Sequence, residues 1–192
     1  MADNAESEII NLYQPRKRFI IPIDNFHVPK KLFKLFKKNT YTFKINNNFE
    51  SVISKCQLAN RKDSGTWINN IILNSYLNLH HERIAHSVEC YYQNKLIGGL
   101  YGVHIGGCFF GESMFSELSN TSKFCLLYLI AILKKNSFSL LDSQLYNEHL
   151  IQFGAFELEN NIYLKKLRVS INDNRAFTFI ESFQEILLLL QP

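Results

Sequence analysis

Asp142 and Gln144 stand two apart in SLLDSQLY (139–146). If that run is a strand, alternation projects both side chains from one face. A carboxylate beside an amide can then fix which end of the amide accepts a hydrogen bond. By pattern alone Asp142 reads as a structural residue ahead of a catalytic one. Glu112 lies in FFGESMFS (109–116), with Phe109, Phe110, Met114 and Phe115 around it. Such a carboxylate sits either on a solvated sheet face or in an apolar pocket, where it needs a cationic or hydrogen-bonding partner. Gly98, Gly99 and Gly102 interrupt an otherwise good strand. They read as a bulge or sharp twist, or as a floor that lets a ligand approach closely.

Other chemistries are not supported. The chain has no G-x-G-x-x-G and no G-x-x-x-x-G-K-[ST], and so no dinucleotide or P-loop signature. His27, His80, His81, His86, His104 and His149 show no metal-ligand spacing, and H-E-x-x-H is absent. His86 and His149 read as packed, hydrogen-bonded residues. Cys108 lacks a catalytic flank.

Charge is concentrated in one stretch. Residues 15–44 carry nine basic residues against Asp24 alone, whereas residues 1–14 carry three acids and no base. Within the basic stretch, PKKLFKLFKKN reads as an amphipathic helix with Val28, Leu32, Leu35 and Phe36 on its inner face. Lys30, Lys31, Lys34, Lys37 and Lys38 fall on the other side. They form a solvated face or a patch that contacts the phosphates of a polyanion. The near absence of neighbouring acids favours the phosphate patch.

The elements that must position these residues follow from periodicity. YTFKINN (41–47) predicts a strand and FESVISKCQLAN (49–60) a helix; NRKDSG (60–65) is a polar loop. Thr66 is the expected cap of a helix from Trp67 to about His81, with Ile68, Ile71, Ile72, Tyr76 and Leu79 inward. AHSVECYYQ, KLIGGLYGVHI and GCFFGESMF, hinged at Asn94-Lys95 and Gly106-Gly107, predict an antiparallel meander. Asn120 or Thr121 should cap a buried helix through Leu133. Then come the strand 139–146, a short helix at 148–154 closed by Gly154, an extended AFELE and a helical NNIYLKKLRV.

A chain of 192 residues with 46% hydrophobic and 20% charged content suits one compact domain, with room for a small appendage. Its longest apolar run, Phe124 to Leu133, is ten residues, whereas a membrane span needs roughly 20. The acidic start lacks the pattern of a secretory signal. Cys56, Cys90, Cys108 and Cys125 are widely spaced and read as buried thiols. A soluble cytoplasmic protein is expected. The fold class is α+β, a mixed and largely antiparallel sheet flanked by helices.

Several blocks then match a known family in order and spacing: GTWIN (65–69), AHSVE (85–89), IGGLYGV (97–103), FFGESMFS (109–116), TSK (121–123), LLDSQ (140–144), and EHL with FGA (148–155). From about Tyr13 to Leu167 the sequence resembles the leucyl/phenylalanyl-tRNA–protein transferases. The resemblance implies a catalytic domain similar to GNAT acyltransferases over residues 26–192, preceded by a remnant of a small N-terminal domain over 1–25. It implies transfer of leucine, phenylalanine or, less well, methionine from aminoacyl-tRNA to the α-amine of proteins beginning with Arg or Lys, a mark for N-end-rule degradation. No CoA, other cofactor or metal is implied, and a monomer that does not engage membranes is expected. Gln144 would engage the attacking amine, with Asp142 polarising it, and Glu112 would lie by the aminoacyl amino group. Leu100, Phe109, Leu126 and Leu129 would line the side-chain pocket, Trp67 would pack near the terminal adenosine, and the lysine helix would bind tRNA. Some members carry Phe where this chain has Leu129, and the family begins with a further aromatic-rich stretch. The alternatives are a truncated homologue that binds tRNA without transfer, and a CoA-dependent acyltransferase. The latter should show a [QR]-x-x-G-x-[GA] loop, which is absent.

Overall fold

The computed structural model describes residues 1–4, 6–59 and 66–191. The expected polar loop 60–65, including Gly65 of GTWIN, lies outside the described residues. One seven-stranded sheet organises the chain, in the order β2-β3-β4-β5-β6-β1-β7. Its strands are β1 (Lys17–Ile21), β2 (Thr42–Ile45), β3 (Ala85–Tyr92), β4 (Lys95–Ile105), β5 (Cys108–Ser116), β6 (Leu140–Asp142) and β7 (Phe156–Glu159). Every pairing is antiparallel except β5 with β6. The sheet is therefore mixed and largely antiparallel, as composition and alternation predict. The predicted meander is β3-β4-β5, and its first turn places Gln93 and Asn94 at positive φ, the geometry that matches strand twist in a two-residue hairpin. β1 was not foreseen. It lies inside the sheet between β6 and β7, although its residues belong to the segment 1–25 that the sequence groups apart.

Helices cover both faces: α1 (Lys30–Phe36), α2 (Phe49–Leu58), α3 (Asn70–His81), α4 (Thr121–Lys135), α5 (Glu148–Ile151), α6 (Asn160–Ser170) and α7 (Phe183–Leu189). α4 is the buried helix of the sequence pattern; every side chain from Phe124 to Leu133 is in the interior. Against it pack Phe19, Ile21, Val88, Leu100, Phe109 and Leu141 from the sheet, then α1 and α7. α2 and α3 cover part of the opposite face, over Tyr101 and Phe115. α6 covers the rest through Tyr163, packed on Ile20, Cys108 and Leu140.

Some boundaries move for local reasons. α3 starts at Asn70, not Trp67, because the buried Asn69 caps it through Ile72 N–H at 2.8 Å. Thr66 instead accepts from Ile68 N–H, ahead of the helix. Ile68 is buried before the helix begins, and Ile71 is 45% exposed. At α4, Asn120 holds the cap position in a left-handed conformation without a side-chain cap bond. The Thr121 hydroxyl donates to Leu118 O and Ile97 O, tying the helix start to β4. In α1, Leu32 and Phe36 are buried as expected, but Leu35 is exposed and Phe33 completes the inner arc. The strand predicted over 139–146 is only three residues long, and α7 carried no recognised signal.

The β4 glycines are structural. A Cβ on Gly98 would lie 2.5 Å from the Thr121 side chain, and one on Gly102 would lie 2.3 Å from the Phe110 carbonyl. Protein atoms, not an open floor, occupy that space. Gly102→Ala is expected to cost about 1–3 kcal/mol of stability, the usual range for overpacking a rigid site. A denaturation midpoint unchanged from wild type would show that β4 and β5 can part there freely.

Candidate active site

The parallel pair β5-β6 determines where the site lies. Pairing runs from Cys108↔Leu140 to Phe110↔Asp142 and then stops. β5 continues to Ser116, while the chain turns away after Asp142. The two strands therefore splay apart at their carboxyl ends, where ligand crevices form in sheets with parallel strands. Gly111 and Glu112 stand on one side of the opening, Ser143 and Gln144 on the other.

Each side of the opening has a backbone irregularity. On β5, Gly111 pairs with Gly102 and Ser113 with Tyr101, which leaves Glu112 as the extra residue of a β-bulge. Bulges re-aim side chains and recur beside active sites. On the other side, Leu145 N–H donates to Ser143 O at 2.9 Å, and Gln144 between them has φ of 69°. This is a γ-turn with positive φ, the rarer and more strained form. The expectation of Asp142 and Gln144 side by side on one strand face therefore fails, because Gln144 lies beyond the end of β6.

Hydrogen bonds hold that turn from both ends. Gln144 N–H donates to Asp142 Oδ1 at 2.7 Å, and Phe19 N–H donates to Gln144 O at 3.1 Å. Ser143 bonds Phe19 O through both its N–H and its hydroxyl. Asp142 itself is fully buried. Its Oδ2 accepts from the Arg18 guanidinium in a close ion pair and from the Tyr163 hydroxyl at 2.7 Å. Asp142 thus binds the backbone of Gln144 and not its side-chain amide. The amide is oriented elsewhere: Nε2 donates to Gly111 O at 3.4 Å, beside the Glu112 carboxyl, whose charged form it favours. With both neighbours acceptors, the NH₂ end faces them and the carbonyl Oε1 remains for an incoming donor.

Glu112 is not on a solvated face. Burial pushes its carboxyl above the usual carboxylate value, opposed by hydrogen bonds from Gln144 and Tyr76. The Tyr76 phenol is raised in turn, by burial and by the Glu112 charge. Arg18 remains firmly protonated, since the Asp142 carboxylate and Tyr163 together outweigh the opposing effect of burial.

Behind the opening lies a cavity of about 360 Å³. Of the residues expected to line a side-chain pocket, Leu100, Leu126 and Leu129 do so, with Trp67, Glu112 and Asp142 also in its walls. Phe109 does not: it is fully buried behind the wall and stacks on Phe177 at 5.4 Å. Ile21, Met114, Leu141 and Leu150 add to the apolar lining. A second hollow of about 370 Å³ shares Trp67, Gly111, Glu112, Ser143 and Asn147 and adds Arg18, Tyr76 and Gln144. Trp67, which lines both, is pinned by Ala2 N–H on its carbonyl at 3.0 Å. Nothing local marks Arg18 or Tyr163, whose partner Asp142 is 124 and 21 positions away, and the sequence presents Tyr76 only as an inner residue of α3.

The remaining candidates are placed plainly. Lys30, Lys31, Lys34, Lys37 and Lys38 are exposed on and just after α1. Among the described residues none of them forms an ion pair. The same residues contain no cluster of three or more His, Cys, Asp or Glu suited to a metal. No helix among them is long and apolar enough to cross a membrane. Burial lowers His86 to about 4 and raises the Cys108 thiol to about 11, so neither is a poised acid–base or nucleophile. The four cysteines are buried thiols.

The raised Glu112 carboxyl has a stability consequence. The folded state holds that proton to higher pH than the unfolded chain, so wild-type stability should fall as pH rises from about 4.5 through the raised value. Glu112→Gln lacks this term, so its stability relative to wild type should climb over the same window in chemical denaturation. A difference independent of pH would mean that Glu112 is solvated.

Comparison with known proteins agrees with the residue pattern. The family model described as leucyl/phenylalanyl-tRNA protein transferase matches residues 20–168. Proteins of that name in Zymomonas mobilis, Phenylobacterium zucineum and Prosthecochloris aestuarii are 41%, 42% and 40% identical. The matches cover 90%, 87% and 87% of this chain, and 64%, 76% and 87% of those relatives. The chain thus spans less than two thirds of the Zymomonas protein. Among solved structures, L-PGS from Bacillus licheniformis matches at a TM-score of 0.45 and 15% identity, over 90% of this chain and 59% of that one. The ordered blocks, the extent of the family match and the identity to three relatives make this chain a member of the leucyl/phenylalanyl-tRNA–protein transferase family.

Proposed function

We propose that the protein transfers leucine, phenylalanine or, less well, methionine from aminoacyl-tRNA to the N-terminal α-amine of proteins beginning with Arg or Lys, marking them for degradation. The observation that carries this reading is the convergence of Gln144 and Glu112 in the hollow that adjoins the apolar cavity and shares Trp67, Gly111 and Glu112 with it, in a chain of this family. The cavity, walled by Leu100, Leu126, Leu129 and Met114, takes the amino-acid side chain. Such a pocket separates aliphatic and aromatic side chains only by size and shape, about 1–3 kcal/mol per methylene. Glu112 receives the aminoacyl ammonium, and Trp67 packs at the terminal adenosine. The protein acts in the cytoplasm, as a monomer, without metal or cofactor.

The ester is already activated, so the reaction needs positioning and control of charge more than a covalent nucleophile. The acceptor nitrogen, as free amine, attacks the ester carbonyl and forms a C–N bond. The tetrahedral intermediate collapses with cleavage of the C–O bond to the ribose. The proton lost by nitrogen ends on the departing ribose oxygen. Gln144 Oε1 accepts an N–H of the attacking amine and stabilises the positive charge that builds on it. That interaction is strongest in the transition state, so its loss should appear in kcat.

Gln144→Ala is accordingly expected to lower kcat about 100-fold, comparable to removing one oriented hydrogen-bonding group from an active site. KM for leucyl-tRNA should stay within about twofold. The assay follows labelled leucine from charged tRNA to a peptide beginning with Arg. Full activity in the variant would remove Gln144 from the mechanism, and absence of transfer by the wild type would overturn the proposed activity.

The lysines of α1 supply affinity for the tRNA phosphates. Replacing Lys30, Lys34 and Lys37 with Ala should weaken tRNA binding and flatten its dependence on salt by roughly one unit of slope per lost contact. An unchanged slope would assign this face to solvent alone.

A further inference from the structure

Tyr163 is the least obvious member of the network behind Gln144. It lies on α6, is buried against Ile20, Cys108 and Leu140, and reaches the site through its hydroxyl on Asp142 Oδ2. Arg18 shares that oxygen and lies over the Tyr163 ring at 5.0 Å from its centroid. Two donors on Oδ2 fix the rotation of the carboxylate, and Oδ1 is left facing the N–H of Gln144. That bond and the one from Phe19 N–H to Gln144 O hold the two ends of the residue at the strained γ-turn, from which the Gln144 side chain projects toward Gly111 O.

We propose that Tyr163 is a positioning residue for the transfer reaction: through Asp142 it holds Gln144 in its γ-turn, so that the amide carbonyl meets the attacking amine. The proposal rests on the transfer activity proposed above. A purely structural Tyr163 would fill space between α6 and the sheet, a task that Phe performs equally well. A positioning Tyr163 needs its oxygen.

Tyr163→Phe in the full chain separates the two. It should lower kcat about tenfold, the scale of one hydrogen bond to a charged group. KM for leucyl-tRNA should stay within about twofold. Hydrogen exchange at the Gln144 amide, followed by NMR, should accelerate by about the same factor while exchange in α4 is unchanged. Unaltered exchange at Gln144 would overturn the positioning link, whether or not the protein transfers leucine. Faster exchange at Gln144 with undiminished kcat would overturn its role in the reaction. A wild type inactive in transfer would refute the proposed function instead, and the exchange measurement would still decide the link. Should Tyr163→Phe not fold, p-aminophenylalanine incorporated at position 163 keeps the ring and puts a weaker donor in the place of the hydroxyl on Asp142 Oδ2. It is read by the same exchange measurement, with the same outcomes.

Discussion

A single buried carboxylate joins β1, β6, α6 and the turn that carries Gln144. Asp142 has no exposure to solvent, and an isolated charge in that position would be strongly unfavourable. It is tolerated because β1 supplies a guanidinium, α6 a phenol and the following turn a backbone N–H. Removing one partner from a buried pair is generally far worse than never having had the pair, since the other charge is left uncompensated. β1, β6 and α6 must therefore assemble together. The internal position of β1 in the sheet follows from the same requirement, because only there can Arg18 face α6 while Phe19 and Ile21 face α4.

The splay of β5 from β6 turns this rigid core into a site. Continued pairing of the two strands would satisfy their backbone groups internally and leave no crevice. Here the polar groups released by the separation are reused. Gly111 O takes the Gln144 amide, while Phe19 bonds the Ser143 N–H and the Gln144 carbonyl. By contrast Glu89, another fully buried carboxylate, accepts from Asn47 N–H, Asn48 N–H and the hydroxyls of Ser87 and Tyr91. Its acceptor capacity is consumed in joining β2 to α2, so it has none to offer a ligand. Glu112 differs in place: it borders both hollows, where a ligand can reach it.

Periodicity made much of the fold legible. The meander, α2, the buried α4 and the amphipathic α1 all follow from alternation or 3.6-residue spacing, which report burial directly. β1 and α7 did not, since KRFII and FQEILLL are short apolar runs with no distinctive period. For the site, the ordered blocks identified Gln144, Asp142, Glu112 and three cavity leucines, but not how they are arranged. The run SLLDSQLY reads as one continuous strand, which would set Asp142 and Gln144 on the same face. The backbone bonds from Phe19 that end the strand come from a residue more than a hundred positions earlier. Phe109 was placed in the pocket through resemblance, yet its alternation with Phe110 and the bulge beyond it direct it into the core.

The bulge at Glu112 also determines which kinds of change this strand can survive. Before it, Phe109 faces α4; after it, Met114 does, five positions later, where an unbroken strand would require an even interval. Phe115 is thereby turned toward α2. The extra residue acts as a phase shift between two halves of β5. Loss of one codon anywhere between the halves would exchange inside for outside along the rest of the strand. Many individual letters of this stretch can drift, but its length cannot. Insertions and deletions in the lineage of such a protein should therefore collect in surface loops, and GESMF should persist as a segment of fixed count even where its residues differ.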